Sequence, residues 1–152
     1  MSSLVRGSAF ALRILLMIGV LPVQFCVPNG TYRYQVQIIA LRKDDGTVAT
    51  QFTRGQFVFV EVKLKNIMSY AYAAEPYLLI ARATYSLTMY GLGAFSGSLT
   101  TGQEFNAMPA FVIPNNAPFG SYEVKVMVFS TWPSAGGIPI AASVTTTFTV
   151  IP

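Results

Sequence analysis

The stretch Gln56-Phe57-Val58-Phe59-Val60-Glu61-Val62-Lys63-Leu64-Lys65 alternates strictly between two kinds of side chain. One face of the run is aliphatic and consists of Val58, Val60, Val62 and Leu64. The other face carries Phe57, Phe59, Glu61, Lys63 and Lys65. A period of two residues is that of a β-strand with one buried face. The run therefore predicts a half-buried strand over residues 56–65.

The same period recurs along the rest of the chain. It is clear over residues 31–41, 75–86, 121–130 and 140–151, and weaker over 47–53, 87–95 and 104–113. Turn-forming residues separate these runs, notably Asp44-Asp45-Gly46 and residues 115–120. No helical period follows residue 30. The pattern predicts an all-β fold, an antiparallel β-sandwich of seven or eight strands.

Composition narrows the classes of function. The chain has 152 residues with 53% hydrophobic and 11% charged residues, no His and one Cys. Intrinsic disorder is excluded, because disordered chains are poor in apolar residues. No Ser or Thr can pair with a His as a nucleophile, and no Cys or His cluster can hold zinc. The net charge of +4 is spread without a basic patch. We therefore expect no enzyme, no cofactor, no metal and no nucleic acid partner.

The first 27 residues have the features of a targeting segment. Arg6 and Arg13 precede the apolar run Ile14–Val23, which has the length of a secretory signal core. Three interpretations stay open: a cleaved signal peptide, an uncleaved membrane anchor, or a pilin-type leader cut after Gly7. Each places residues 28–152 outside the cell as one domain. Asn29-Gly30-Thr31 is then a candidate glycosylation site at Asn29.

Two parts of the chain carry a family resemblance. Residues 57–66 and 113–126, followed by a Thr-rich last strand, are similar to extracellular immunoglobulin-like domains of cell-surface proteins. The Gly120-x-Tyr122-x-Val124 step resembles the start of the sixth strand of that fold, where a tyrosine corner often sits. The low charge, the Tyr and Thr content and the short leader also resemble archaeal surface filament and pilus subunits. These resemblances imply an immunoglobulin-like fold over residues 31–152 and a role at the cell surface.

Several apolar side chains occupy positions that a solvated sandwich would give to polar residues. Phe57 and Phe59 share a face with Glu61, and Met127 and Phe129 share a face with Lys125. The connection 66–74 adds Tyr70 and Tyr72, and the stretch 86–95 adds Met89 and Tyr90. Contiguous exposed apolar patches mark interaction surfaces. Three interpretations remain: the chain's own loops cover these residues, another molecule covers them, or they line a groove for an apolar ligand.

These observations favour a protein that works by association. The preferred hypothesis is a subunit of an extracellular filament or pilus, with other copies of itself as partners. Residues 32–41 would pair with the open sheet edge of the next copy, and Tyr34, Val36 and Ile38 would fill its groove. The alternative is a membrane-anchored accessory domain that binds a surface layer or a larger membrane complex. A third hypothesis is a carbohydrate-binding module that uses Tyr70, Tyr72, Tyr90 and Trp132.

Overall fold

The structure is a computed structural model that describes residues 32–69 and 74–152. The predicted targeting segment, the candidate glycosylation site Asn29, and the candidate interface residues Tyr70 and Tyr72 lie outside the described residues. Within the described ranges, no helix is long and apolar enough to cross a membrane.

The described residues form nine strands and one short 3-10 turn, which confirms the all-β prediction. The strands are β1 Tyr34–Arg42, β2 Gln51–Phe52, β3 Phe57–Asn66, β4 Glu75–Tyr85, β5 Thr88–Leu99, β6 Glu104–Ala107, β7 Ala110–Val112, β8 Gly120–Phe129 and β9 Val144–Val150. The 3-10 turn is Pro133–Ala135. The number exceeds the predicted seven or eight because the run 104–113 is interrupted at Met108–Pro109. The carbonyl of Pro109 there accepts a hydrogen bond from the Val60 N–H.

The strands form two sheets. The first has the order β1-β3-β6, with β7 also paired to β3, and the second has the order β2-β9-β8-β4-β5. Every pairing is antiparallel except that of β2 with β9, which is parallel. The prediction of purely antiparallel sheets is wrong at this one pairing. The chain passes from β1 in the first sheet to β2 in the second, and β2 then runs in the same direction as β9.

One hydrophobic core draws side chains from both sheets. The aliphatic face of β3 is fully buried, as predicted, and so are Val124 and Val126 of β8. Phe111 of the first sheet packs against Phe148 of the second, with ring centroids 6.2 Å apart. Burial of each such aliphatic or aromatic side chain contributes about 1.5–3 kcal/mol before ordering costs. The alternation read from the sequence therefore places the core correctly for the central strands.

β5 differs most from its prediction, because it extends over 12 residues where only a short strand was expected over 87–95. Its glycines are required by close packing. A Cβ on Gly93 would lie 2.6 Å from the carbonyl oxygen of Ala110, and one on Gly91 would lie 2.3 Å from the Phe111 ring. These glycines let the edge strand of the second sheet approach β7 of the first sheet. They act as packing positions here, and the strand continues through them.

β1 contains an irregularity that the sequence pattern did not reveal. Its register with β3 shifts between Ile38 and Ala40. Before the shift Tyr34 is buried, and after it the buried residue is Leu41, while Ile39 is 45% exposed. The alternation over residues 31–41 predicts Ala40 on the same side as Tyr34, Val36 and Ile38, and this prediction is wrong. Ala40 pairs with Glu61, which faces outward on β3.

Candidate interaction surfaces

Two aromatic side chains are paired on the outer face of the first sheet. Phe57 and Phe59 stack with ring centroids 5.9 Å apart, and Phe57 is 47% exposed. Val112 of β7 lies opposite Phe57 and is also exposed. The prediction that both aromatic residues point away from the core is confirmed by the burial pattern of β3. That another molecule covers these residues stays a prediction.

Charged side chains occupy the rest of the same face, beginning beside the aromatic pair, because Arg42 lies opposite Phe59. Arg42 and Glu61 form an ion pair at 2.7 Å, and Glu104 lies 2.7 Å from Lys63 and 3.4 Å from Lys65. A hydrogen bond from Lys63 holds the pKa of the Glu104 carboxyl below its usual value. The outer face of the first sheet therefore carries an aromatic pair at one end, with ion pairs beside it and along the rest of the face.

Met127 and Phe129 lie on the outer face of the second sheet, where both are half-buried. They pair across to Ile80 and Leu78 of β4, and each of these aliphatic residues is only 6% exposed. Leu78 and Ile80 are buried, yet they stand apart from the main core cluster. The four side chains form an outer apolar stripe across two central strands.

Met89 and Tyr90 lie near the start of β5, and their environments differ. The hairpin tip holds Ser86 and Leu87 at φ 46° and 68°, and Leu87 is fully exposed. Met89 is 53% exposed. Tyr90 is half-buried and packs edge-to-face against Tyr122, with centroids 5.7 Å apart. Met89 is therefore accessible to a partner, whereas the Tyr90 ring is part of an internal aromatic cluster.

Tyr34 is 1% exposed and belongs to the core. Its hydroxyl donates a hydrogen bond to the Glu75 carbonyl, and burial raises its pKa to about 12. The neighbouring candidates Val36 and Ile38 are half-buried against the same core. While β1 stays in its own sheet, Tyr34 is not available to a neighbouring copy. The sequence analysis did not predict that Tyr34 is buried in its own domain. Alternation shows that a side chain is buried, but it does not show whether its own chain or a neighbouring copy buries it.

The outer edge of β9 has backbone groups that no described residue pairs. The Thr149 N–H donates to the Thr50 carbonyl at 2.9 Å, and the Ile151 N–H donates to Phe52. Backbone groups of alternate residues point to the same side of a strand. The N–H and C=O of Thr145 and Thr147 therefore point to the β2 side, where β2 pairs only with Thr149 and Val150. Among the described residues, nothing pairs with these two threonines on that side.

The outer edge of β1 faces the same opening. The Arg33 carbonyl accepts from Ile67 on the β3 side, and the Tyr34 N–H donates to Ile140 on the opposite side. By the same alternation, Val36 and Ile38 direct their backbone groups away from β3. The described part of the chain supplies no strand there. Each sheet thus has one edge that no described strand pairs, and the two edges lie on the same side of the domain.

A groove lies beside these two edges, and we call it the lateral groove. It is lined by Ile38, Ile39, Ala40, Leu41, Val48, Ala49, Thr50, Thr145, Thr146 and Thr147. None of these side chains is charged. Ile39 and Val48 are 45% and 63% exposed, so the rim is apolar. Such a site suits an uncharged extended segment that adds backbone hydrogen bonds.

The acidic pair Asp44-Asp45 forms a turn, as predicted. The Gly46 N–H donates to the Lys43 carbonyl at 3.0 Å, and Gly46 has φ +82°. The Asp45 carboxylate accepts from the Thr47 N–H and hydroxyl, and the hydroxyl bond lowers its pKa. The described residues contain no group of three His, Cys, Asp or Glu side chains placed to bind a metal.

Comparison with known proteins gives a structural likeness only. No protein-family model matches the sequence, and no curated protein is significantly similar to it. A β-glucosidase from Listeria innocua, solved in complex with glucose, is similar in structure at TM-score 0.51 and 12% identity. The match covers 77% of this chain and 16% of the enzyme, and the complex with isofagomine gives the same values. At this identity the likeness concerns the fold alone.

Proposed function

We propose that this chain is an exported, non-enzymatic association domain with an immunoglobulin-like fold, and that it serves as a subunit of an extracellular filament or pilus. The observation that carries the proposal is the lateral groove, beside which each sheet has one edge that no described strand pairs. Edge strands with free backbone groups are templates for pairing with another chain, and natural proteins usually block them. Here β9 presents threonines and β1 presents aliphatic residues, and neither free edge has a proline.

The immunoglobulin-like part of the proposal is supported by a hydrogen bond near the start of β8. The Tyr122 hydroxyl donates to the Pro118 carbonyl at 2.7 Å, four residues upstream. This is the geometry of a tyrosine corner. The ring stacks on Phe148 of β9, with centroids 5.2 Å apart. The corner therefore ties the loop before β8 to the side chains between the sheets.

The mechanism that we propose is strand addition in the lateral groove. An extended segment of a neighbouring copy would accept and donate backbone hydrogen bonds at Thr145 and Thr147. Its apolar side chains would pack against the rim residues Ile39 and Val48. Since the Tyr34 ring holds β1 in its own core, β1 forms one side of the acceptor site. A contact between two different surfaces repeats from copy to copy, and it produces an open polymer when its rotation does not close a ring.

A proline substitution at the free edge tests this mechanism. Thr147→Pro removes the outward N–H but leaves the hydrogen bonds between β9 and β8, because proline is tolerated at edge positions whose N–H is unused. Thr147→Val keeps the N–H and is the matched control. We expect the full-length wild type and Thr147→Val to form polymers visible by electron microscopy, and Thr147→Pro to remain monomeric by light scattering. Equal polymerisation of all three proteins would refute strand addition at β9.

A further inference from the structure

A second groove lies at the opposite edge of the second sheet, next to β5. It is lined by Pro76, Tyr77, Leu78, Ser96, Gly97, Ser98, Ser130, Thr131 and Trp132, and has a volume of about 410 Å³. This volume falls within the range of about 300–1,000 Å³ that is usual for ligand sites. We call it the Trp132 groove. The strands β8 and β4 separate β9, which borders the lateral groove, from β5.

Trp132 presents a large flat ring to solvent on a well-defined turn. It is 46% exposed, and its carbonyl accepts hydrogen bonds from the N–H groups of Ala135 and Gly137 at 2.9 and 3.0 Å. Gly137 fits because any Cβ there would lie 2.0 Å from the Thr131 carbonyl oxygen. The Ser130 N–H donates to Ile138 at 3.0 Å and closes the loop. The ring is thus held on a turn fixed by hydrogen bonds at both of its ends.

The remaining lining of the groove is rich in hydroxyl groups and carries no charge. Ser96, Ser98 and Thr131 are exposed, and Ser130 is half-buried. Gly97 lies between these serines and faces the core instead: a Cβ there would meet the buried Tyr77 hydroxyl at 2.8 Å, so the glycine lets Tyr77 pack beneath β5. Each hydroxyl group can both donate and accept a hydrogen bond. The groove therefore combines an apolar platform with several neutral polar groups.

We infer that the Trp132 groove binds a neutral polysaccharide. A pyranose ring has an apolar face of C–H groups that can stack on an indole, and an edge of hydroxyl groups that pairs with serine and threonine. A proline-rich peptide is a weaker fit, since such peptides dock in grooves lined by several aromatic rings. Here Tyr77 is buried at 4% exposure, so Trp132 is the only aromatic side chain that the groove exposes among its described lining residues. An anionic polymer would find no cation among those lining residues.

The intrinsic fluorescence of the full-length protein provides the test, because the chain has a single Trp. We expect soluble starch or hydroxyethylcellulose to shift the Trp132 emission to shorter wavelengths in a saturable way. Alginate, which is anionic, should give no larger shift than these neutral polymers. Absence of a shift with both neutral polymers, or a shift with a polyproline peptide alone, would overturn the inference.

Affinity electrophoresis in gels that contain the responding polysaccharide provides an independent readout with variants. Trp132→Ala should be retarded less than the wild type. Its apparent affinity should be at least about tenfold lower, which corresponds to the loss of one stacking contact. Phe119→Ala removes another aromatic residue of equal exposure, 46%, and should migrate as the wild type does. Retardation of Trp132→Ala equal to the wild type would overturn the inference. Thr147→Pro should bind normally, so a failure of strand addition and a failure of polysaccharide binding can be told apart.

Discussion

The rings of Tyr34 and Tyr77 meet edge to face, with centroids 5.4 Å apart and planes at 63°. Tyr34 belongs to β1 of the first sheet and Tyr77 to β4 of the second, so this contact joins the two sheets. Edge-to-face aromatic pairs contribute about 0.5–1.5 kcal/mol beyond the area that they bury. Together with the hydrogen bond from Tyr34 to the Glu75 carbonyl, the contact keeps β1 in its own domain. Strand addition in which every β1 stays in place must therefore use the free edges.

Alkaline pH should destabilise the domain through Tyr34. Burial raises the pKa of its phenol from 10.0 to about 12. The unfolded chain loses this proton above about pH 10, whereas the folded state keeps it until about pH 12. The free energy of unfolding is therefore at its full value below pH 10 and falls between pH 10 and 12. Urea unfolding of Tyr34→Phe should show a shallower fall over this interval; an identical pH dependence in both proteins would contradict the assignment.

The tyrosine corner should contribute measurably to stability. Tyr122→Phe removes the 2.7 Å hydrogen bond to the Pro118 carbonyl and leaves the stacked ring in place. We expect a loss of about 1 kcal/mol in the free energy of unfolding. Tyr90→Phe is the matched control, because it removes a hydroxyl from a half-buried ring in the same cluster. Equal effects of the two substitutions would argue against a special role for the corner.

The close approach of β5 to β7 should make Gly93 intolerant of any side chain. A Cβ there would lie 2.6 and 2.8 Å from backbone atoms of Ala110, which cannot move independently of their strand. Gly93→Ala should lower the free energy of unfolding by about 1–3 kcal/mol, as overpacking does in other cores. Ser98→Ala, on the exposed part of the same strand, should change it by less than about 0.5 kcal/mol. Calorimetry on both variants provides the measurement, and a loss in Gly93→Ala no larger than that in Ser98→Ala would contradict the close approach of β5 to β7.

Sequence alternation was sufficient to predict which residues of the central strands face the core. β3 and β8 each bury one face completely, so their period of two is undisturbed, and the outward direction of Phe57 and Phe59 follows from the order of residues alone. At the edges the pattern was misleading for physical reasons. The glycines of β5 interrupt the alternation over residues 87–95, which made only a short strand expected there, although they serve the contact with Ala110 and Phe111. The bulge in β1 changed which residues face inward.

The lateral groove could not have been predicted from the sequence. Its existence depends on β2 pairing with only the last part of β9, and on the direction in which Thr145 and Thr147 point their backbone groups. Both are consequences of how distant strands meet, and no local motif encodes them. The side-chain pattern gave only a hint, in that the Thr-rich last strand lacks the charges and proline that usually protect an edge.

Hydrogen exchange of the β9 amides tests the central claim most directly. The Thr146 N–H points toward β8 and should exchange slowly in every state, which makes it an internal reference. In the monomer the N–H groups of Thr145 and Thr147 should exchange rapidly, because the described chain supplies no partner for them. In assembled full-length protein we predict that both become protected. Assembled protein in which Thr145 and Thr147 still exchange as fast as in the monomer would contradict strand addition in the lateral groove.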